Sequence, residues 1–288
     1  MRLRLVGTML VVGFVAFAPL HAQDEKTPAL SILSGQKIAF LGDSITQAGA
    51  RPGGYCQLVI DGLKKQGVEV TGVFAGISGH KSNQMLARLE KDVLSKDPDW
   101  MTLSCGVNDV WHGARGVALE PYKANITAIV DKAQAAGVKV MILTATMIKE
   151  DQAGELNQKL LPYNEFLREL APAKGCLLAD LNAEMQVELK TFPTDAPKGK
   201  QLTSDGVHMN PYGNFMMAKG ILKAFGVAEA SLPGLVTEWK KRPGSKSLRL
   251  HLSMSLHEYD VLEKKLEKPV QTAFDEFLKA KKDELLAE

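Results

Sequence analysis

The sequence predicts an α/β fold in which helices cover both faces of a parallel sheet. Between residue 37 and about residue 226, short apolar runs alternate with longer segments of helical spacing, which is the pattern of repeated βα units. The runs are continuously apolar, as expected for strands buried on both faces. With 288 residues, 45% of them hydrophobic, the chain is long enough to bury a full core.

Five apolar runs are the predicted strands. They span residues 38–41, 68–74, 100–104, 138–144 and 176–181. Apolar residues at helical spacing follow the first three runs, and the third of these helices ends at Gly137, as a C-cap glycine would end it. A last helix is expected over roughly residues 211–225. The runs therefore predict five parallel strands with helices between them.

The first 22 residues are typical of a secretory signal peptide. Arg2 and Arg4 precede an apolar run over residues 5–18, and cleavage is expected near Ala22. This run is shorter than the ~20 apolar residues that a membrane span needs. A retained N-terminal anchor is the alternative. We expect a secreted or periplasmic protein with no stable membrane span, in which residues 23–35 lead into the main domain.

Charge and cysteine content argue against two classes of function. The 35 basic residues exceed the 33 acidic ones only through the two arginines of the leader, so the mature protein is about neutral and no nucleic-acid partner is expected. The cysteines Cys56, Cys105 and Cys176 form no Cys-x-x-Cys pair, which argues against a metal site. We expect them to be small core residues.

The pattern changes after the main domain, which we place at residues 36–230. Apolar and polar residues alternate over residues 248–254 and predict a strand. The capping box Ser255-x-x-Glu258 then opens one helix, and a second helix follows Pro269. Residues 231–288 are therefore predicted to form a C-terminal strand–helix–helix extension. It is expected to pack on the main domain or on a second copy of the chain, as in a homo-oligomer.

Four short segments carry side chains suited to acyl transfer. They are Gly42-Asp43-Ser44, Gly76-Ile77-Ser78-Gly79, Gly106-Val107-Asn108-Asp109 and Asp205-Gly206-Val207-His208. Three of them follow the first three predicted strands, and sites in open α/β sheets form beyond the carboxyl ends of strands. The segments are therefore expected to meet at one edge of the sheet.

Each segment supplies a different catalytic group. Ser44 is the candidate nucleophile, and it needs a histidine base such as His208, whose imidazole Asp205 would orient. The backbone N–H groups of Ser44 and Gly79 and the side-chain amide of Asn108 are candidate oxyanion donors. Taken singly, these residues also fit turns and helix caps. Their occurrence at one sheet edge favours a site.

In order and spacing, the four segments resemble the motif blocks of the SGNH-hydrolase (GDSL) family of esterases and lipases, over roughly residues 36–226. The resemblance implies a flavodoxin-like three-layer α/β/α sandwich, with no metal and no organic cofactor. It implies Ser44, Asp205 and His208 as a catalytic triad, and Ser44, Gly79 and Asn108 as the oxyanion hole. The Gly-x-Ser-x-Gly elbow of other serine esterases is absent from the sequence.

The predicted function is that of an exported serine esterase acting on a small-molecule or polysaccharide ester. We favour acetyl groups on carbohydrate, because aromatic residues are few and no long apolar stripe lies near the segments to hold a fatty chain. The candidate substrate contacts are Asp43, which belongs to the first segment, and Tyr55, Trp111 and His112, which lie beside the first and third segments. A lipase, lysophospholipase or thioesterase of the same family is one alternative. A catalytically silent carbohydrate-binding or assembly protein is the other.

Overall fold

The computed structural model of the chain describes residues 30–192, 199–241 and Glu276. The described residues up to Lys241 belong to one unit of the chain, Met1–Arg242, and Glu276 belongs to a second, Pro243–Glu288. The predicted signal peptide and the strand and two helices predicted after residue 247 lie outside the described residues, apart from Glu276.

Five parallel strands form the sheet. They are β1 (Lys37–Gly42), β2 (Thr71–Gly76), β3 (Trp100–Ser104), β4 (Lys139–Leu143) and β5 (Leu177–Ala179). Their order in the sheet is β2-β1-β3-β4-β5, and every neighbouring pair is parallel. This is the strand order of flavodoxin-like folds. It confirms the fold class that the sequence predicts.

Two layers of helices cover the sheet. In the described part of the chain the helices are α1 (Ser44–Gly49), α2 (Tyr55–Lys65), α3 (Ser82–Asp92), α4 (Val107–Trp111), α5 (Leu119–Ala135), α6 (Glu155–Ala173), α7 (Leu181–Leu189), α8 (Pro211–Ala224) and α9 (Leu232–Lys240). Helices α2, α7, α8 and α9 form one contiguous layer, and α3, α5 and α6 form the other. Their apolar faces and the two faces of the sheet share one core.

The second strand begins later than the apolar run predicts. Val68 donates its backbone N–H to the carbonyl of Leu63 at 2.9 Å, which closes the turn that follows α2. Val68 and Val70 therefore pack against the core from a loop, and pairing with β1 starts at Thr71, opposite Lys37. The side chains are half-buried against the core, but the backbone is not yet in the sheet.

Helix α9 lies beyond residue 230, where the sequence places the end of the main domain. Its Trp239 is buried, stacks on Phe215 with 5.9 Å between the ring centroids, and donates its indole N–H to Asp61 at 2.9 Å. This helix therefore packs on α2 and α8 of the same unit. None of the helices in the described residues combines the length and apolar content needed to cross a bilayer.

The order of the strands creates a crevice at the carboxyl end of the sheet. The chain leaves β1 toward β2 and leaves β3 toward β4, in opposite directions across the sheet. Ligands of open α/β sheets bind at such a point, where the connections diverge. Ser44 lies two residues after β1 and Asn108 four residues after β3. The topology therefore places both beside the crevice.

Candidate active site

A tight turn between β1 and α1 presents Ser44 at the edge of the sheet. Asp43 caps α1, because its Oδ1 accepts the backbone N–H of Ile45 at 2.9 Å. Only glycine fits at position 42, because a Cβ there would overlap the side chain of Thr46. The half-buried Ser44 is thus the first residue of the helix, directly after the strand.

His208 connects Ser44 to Asp205. Its Nε2 lies 2.9 Å from Ser44 Oγ, and its Nδ1 lies 2.6 Å from Asp205 Oδ2. Burial alone would raise the pKa of Asp205, but hydrogen bonds from the backbone N–H of His208, its imidazole and the N–H of Val207 outweigh it and lower that pKa. The ionised carboxylate holds the proton on Nδ1, so Nε2 is free to accept the proton of the serine hydroxyl.

The candidate oxyanion donors come from three different segments of the chain, each following a different strand. Gly79 has a φ of +74°, which favours glycine, and a Cβ there would meet open space. The Nδ2 of Asn108 donates to Asp43 Oδ2 and to the carbonyl of His80, each at 3.2 Å. Both bonds are at the long end of the normal range, so the amide can share an N–H with a ligand. Asn108 thus bridges the residue before Ser44 and the residue after Gly79.

Asp43 carries an unusually basic carboxyl group for a residue of this type. It is 2% exposed, and burial raises its pKa from 3.8 to about 6, with partial compensation from the hydrogen bond that the N–H of Ile45 donates. A buried charge of this kind, one residue before the candidate nucleophile, affects stability as the pH changes.

We expect Asp43→Asn to change the pH dependence of stability. A carboxyl whose pKa is about 6 in the folded state and 3.8 in the unfolded state stabilises the fold fully below the lower value, and this contribution is lost as the pH rises to the higher one. The loss is ~3 kcal/mol, at ~1.4 kcal/mol per pKa unit. The unfolding free energy of the wild type minus that of Asp43→Asn should fall by ~2 kcal/mol of this between pH 4 and pH 7 in urea titrations, because the carboxyl of the unfolded chain is already more than half ionised at pH 4. A difference that does not vary with pH would contradict the assignment.

Arg88, a residue of α3 that the sequence analysis did not single out, ties two of the segments together. Its Nη2 donates to the carbonyl of Gly42 at 2.8 Å, and its Nε donates to Nδ1 of His80 at 3.1 Å. Burial and the Arg88 charge lower the pKa of His80, so this imidazole is neutral with its proton on Nε2. Arg88 lies on the helical face of the buried Met85 and Leu89, and this spacing is a signal that it points inward.

Asp109 links the third segment to the start of α3. Its Oδ1 accepts the backbone N–H of Ser82 at 3.0 Å and the Ser82 hydroxyl at 2.6 Å. Asp109 is buried, and burial raises its pKa. The third segment is thereby held to the start of α3 by a buried contact.

The burial of Asp43 and Tyr55 contradicts their prediction as substrate contacts. Tyr55 is fully buried in α2, and its hydroxyl is 2.7 Å from that of Thr46, so neither its ring nor its polar atom reaches the crevice. Closeness to a motif in the sequence does not determine which way a helical side chain points. Trp111 is 39% exposed and His112 half-buried, and both stay predicted contacts.

The cysteines pack in the core or against it. Cys56 and Cys105 are buried and Cys176 is half-buried, and burial raises the pKa of all three thiols. Within residues 30–192 and 199–241, no three His, Cys, Asp or Glu side chains are grouped so that they could hold a metal ion.

Comparison with known proteins gives one consistent result. The model of the GDSL-like lipase/acylhydrolase family matches residues 40–214, more than half of the chain. The acetylxylan esterase of Geobacillus stearothermophilus is 28% identical over 219 residues, which cover 68% of this chain and 97% of that protein. The isoamyl acetate-hydrolyzing esterase 1 homolog of Mus musculus is 25% identical and covers 75% of this chain and 92% of its own length.

A solved structure extends the comparison to three dimensions. The crystal structure of an acetyl xylan esterase is similar with a TM-score of 0.60 and 38% sequence identity, and the match covers 65% of this chain and 98% of that one. Likeness in sequence and likeness in structure therefore extend over nearly the whole length of these relatives.

Proposed function

We propose that this chain, which belongs to the GDSL-like lipase/acylhydrolase family, is a serine esterase that removes acetyl and other short acyl groups from carbohydrate. Its membership makes it a carboxylic ester hydrolase and confirms the resemblance noted in the four sequence segments. The observation that carries the proposal is the hydrogen-bonded chain from Ser44 Oγ through His208 to Asp205, with bonds of 2.9 and 2.6 Å.

In the acylation step, His208 Nε2 takes the proton of Ser44 Oγ as this oxygen attacks the carbonyl carbon of the ester. Negative charge develops on the former carbonyl oxygen, and the N–H groups of Ser44, Gly79 and Asn108 stabilise it. Each such donor lowers the barrier by ~3 kcal/mol. The bond to the alcohol oxygen then breaks, and His208 gives that oxygen the proton.

Deacylation reverses the roles of the same groups. His208 takes a proton from water, whose oxygen attacks the carbonyl carbon of the acyl-enzyme. The bond to Ser44 Oγ breaks and the serine recovers its proton from His208. Asp205 stays ionised throughout and stabilises the imidazolium that forms in both steps.

The choice of substrate rests on the relatives and on one exposed residue. The names of the bacterial and mouse relatives refer to two different substrates, acetylxylan and isoamyl acetate, that share an acetyl ester. Trp111 is the last residue of α4, the helix that begins within the third segment. It lies three residues after Asn108 and is 39% exposed. A partly exposed indole one helical turn from an oxyanion donor suits the packing of a sugar ring. Acetylated carbohydrate therefore fits both observations.

Export is part of the proposal. The basic start, the apolar run over residues 5–18 and the small residue Ala22 fit a cleaved leader. A polysaccharide substrate outside the cytoplasm is consistent with an enzyme that is secreted or periplasmic.

The proposal is tested with a series of p-nitrophenyl esters from acetate to octanoate, followed by acetylated xylo-oligosaccharides with release of acetate as the readout. We expect kcat/KM to be highest for acetate and to fall by more than tenfold by octanoate, and we expect Ser44→Ala to abolish hydrolysis of every ester. A rise of kcat/KM toward octanoate would move the substrate to lipids. Absence of hydrolysis of every ester, with retained binding of oligosaccharide, would favour a silent binding protein.

A further inference from the structure

The turn that carries Asp205 and His208 belongs to no helix or strand. An isolated antiparallel bridge joins Thr203 to Met209, and the N–H of Ser204 donates to the carbonyl of His208 at 2.8 Å. These bonds close the turn on itself. They do not fix it relative to the sheet that carries Ser44. Asn210, which caps α8 and donates to the carbonyls of Gln201 and Thr203, ties the turn to that helix, and a link to the β4 side of the sheet has to come from another residue.

Glu150, in the loop after β4, supplies it. Its Oε1 accepts the N–H of Leu202 at 2.8 Å, and both the N–H and the hydroxyl of Thr203 at 2.6 Å. Its Oε2 accepts the N–H of Gln201 at 2.8 Å. One carboxylate thus gathers three successive backbone N–H groups just before Asp205. Bonds of this kind to an ionised acceptor are roughly twice as strong as neutral ones.

Lys149 contacts the same turn at a second point. Its backbone N–H donates to the carbonyl of Gly206 at 2.6 Å. Lys149 and Glu150 have φ values of +59° and +55°, a conformation that residues with a side chain rarely adopt and that persists only where the surroundings over-determine it. Two such residues in succession, both bonded to the turn of His208, indicate that the loop is shaped for this contact.

The loop that presents Glu150 is held by two buried amides of α6. Asn157 accepts the N–H of Ile148 at 2.8 Å and donates to its carbonyl at 2.6 Å. Asn164 makes the same pair of bonds with Ala145, at 2.8 and 3.0 Å. The contact between Glu150 and the turn therefore has a well-anchored base.

We propose that Glu150 is a positioning residue of the esterase reaction. It holds the Asp205–His208 turn at the place where His208 Nε2 meets Ser44 Oγ, and it touches no reacting atom itself. The inference rests on the proposed function, since the geometry that Glu150 maintains is that of proton transfer from Ser44. A displacement of a catalytic group by 1 Å reduces the rate about 10²-fold. The effect of losing Glu150 should therefore fall on kcat and leave KM nearly unchanged.

The test compares three variants of the full chain with p-nitrophenyl acetate as substrate. Glu150→Gln keeps the shape of the side chain and one accepting oxygen, and its kcat should fall about tenfold. Glu150→Ala removes all four hydrogen bonds of the carboxylate, and its kcat should fall about 10²-fold. KM should stay within about twofold in both. Asp151→Asn, which removes a charge from the exposed neighbouring side chain, is the matched control and should keep the wild-type kcat. Titration of the active sites with a fluorophosphonate gives the concentration of folded enzyme, so that kcat is expressed per active site. A merely structural role of Glu150 would lower the amount of folded enzyme and leave this kcat unchanged.

A second readout does not depend on activity. Amide hydrogen exchange over residues 199–210 should become at least tenfold faster in Glu150→Ala, with no change in β1 and β3. Should this variant not fold, Thr203→Val removes the hydroxyl, which bonds to Glu150 and also to the carbonyl of Gly199 and the N–H of Gly206, and keeps the backbone bond to Glu150. Its effect on kcat should be less than additive with that of Glu150→Gln. Unchanged exchange, or faster exchange with an unchanged kcat, would overturn the proposal. If the wild type hydrolyses no ester, the proposed function is wrong and Glu150 has no role in catalysis. The exchange data would in that case still measure whether Glu150 holds the turn in place.

Discussion

Ser44→Ala should lower kcat/KM for p-nitrophenyl acetate by about 10⁵-fold, the largest effect we expect of any single substitution. Without its hydroxyl, no acyl-enzyme forms, and His208 has no proton to accept; removal of a triad serine costs up to about 10⁶ in rate. The substitution removes one atom from a half-buried position, so the melting temperature should change little. Steady-state kinetics and thermal unfolding of the same preparations measure both effects.

The matched control for Ser44 is Ser78, the exposed serine in the second segment. Ser78→Ala removes the same atom beside Gly79 and should keep activity within about threefold. A fluorophosphonate should label Ser44 in the wild type and in Ser78→Ala, as seen by peptide mass spectrometry. Labelling of Ser78, or activity that survives Ser44→Ala, would contradict the assignment of the nucleophile.

Asp205→Asn should lower kcat about 10⁴-fold, with the fold intact. The carbonyl oxygen of asparagine can still accept the N–H groups of Val207 and His208, which Asp205 Oδ1 accepts at 3.0 and 2.8 Å. The amide nitrogen, however, would face Nδ1 of His208 as a donor. The imidazole proton would then move to Nε2, which could no longer accept the proton of Ser44.

The kinetics of Asp205→Asn are compared with those of Asp151→Asn, an exposed aspartate on the loop beside the same turn. The control should keep wild-type kcat, which excludes a general effect of removing a negative charge. A loss smaller than tenfold in Asp205→Asn would show that another group orients His208. Melting temperatures within a few degrees of the wild type would assign the loss to proton transfer and not to unfolding.

Glu150 illustrates a contact that no sequence pattern predicts. An acidic residue in a loop after a strand is ordinary, and nothing in its neighbours signals a positive φ at a residue other than glycine. Its partners, residues 201–203, lie more than fifty positions along the chain. Arg88 is intermediate, because its helical spacing signals burial but does not identify Gly42 and His80 as its partners.

The sequence by itself determined the fold class, the five strands to within a few residues, the family and the set of residues proposed for catalysis. It did so because strands buried on both faces appear as continuous apolar runs, and because polar motifs at their ends must gather at one edge of a parallel sheet. Only the tertiary structure decided that Asp43 and Tyr55 are buried, that Arg88 and Glu150 hold the loops around Ser44 and His208, and that α9 joins the main unit. These properties depend on the direction of side chains and on contacts between distant segments, which arise only when the whole core packs.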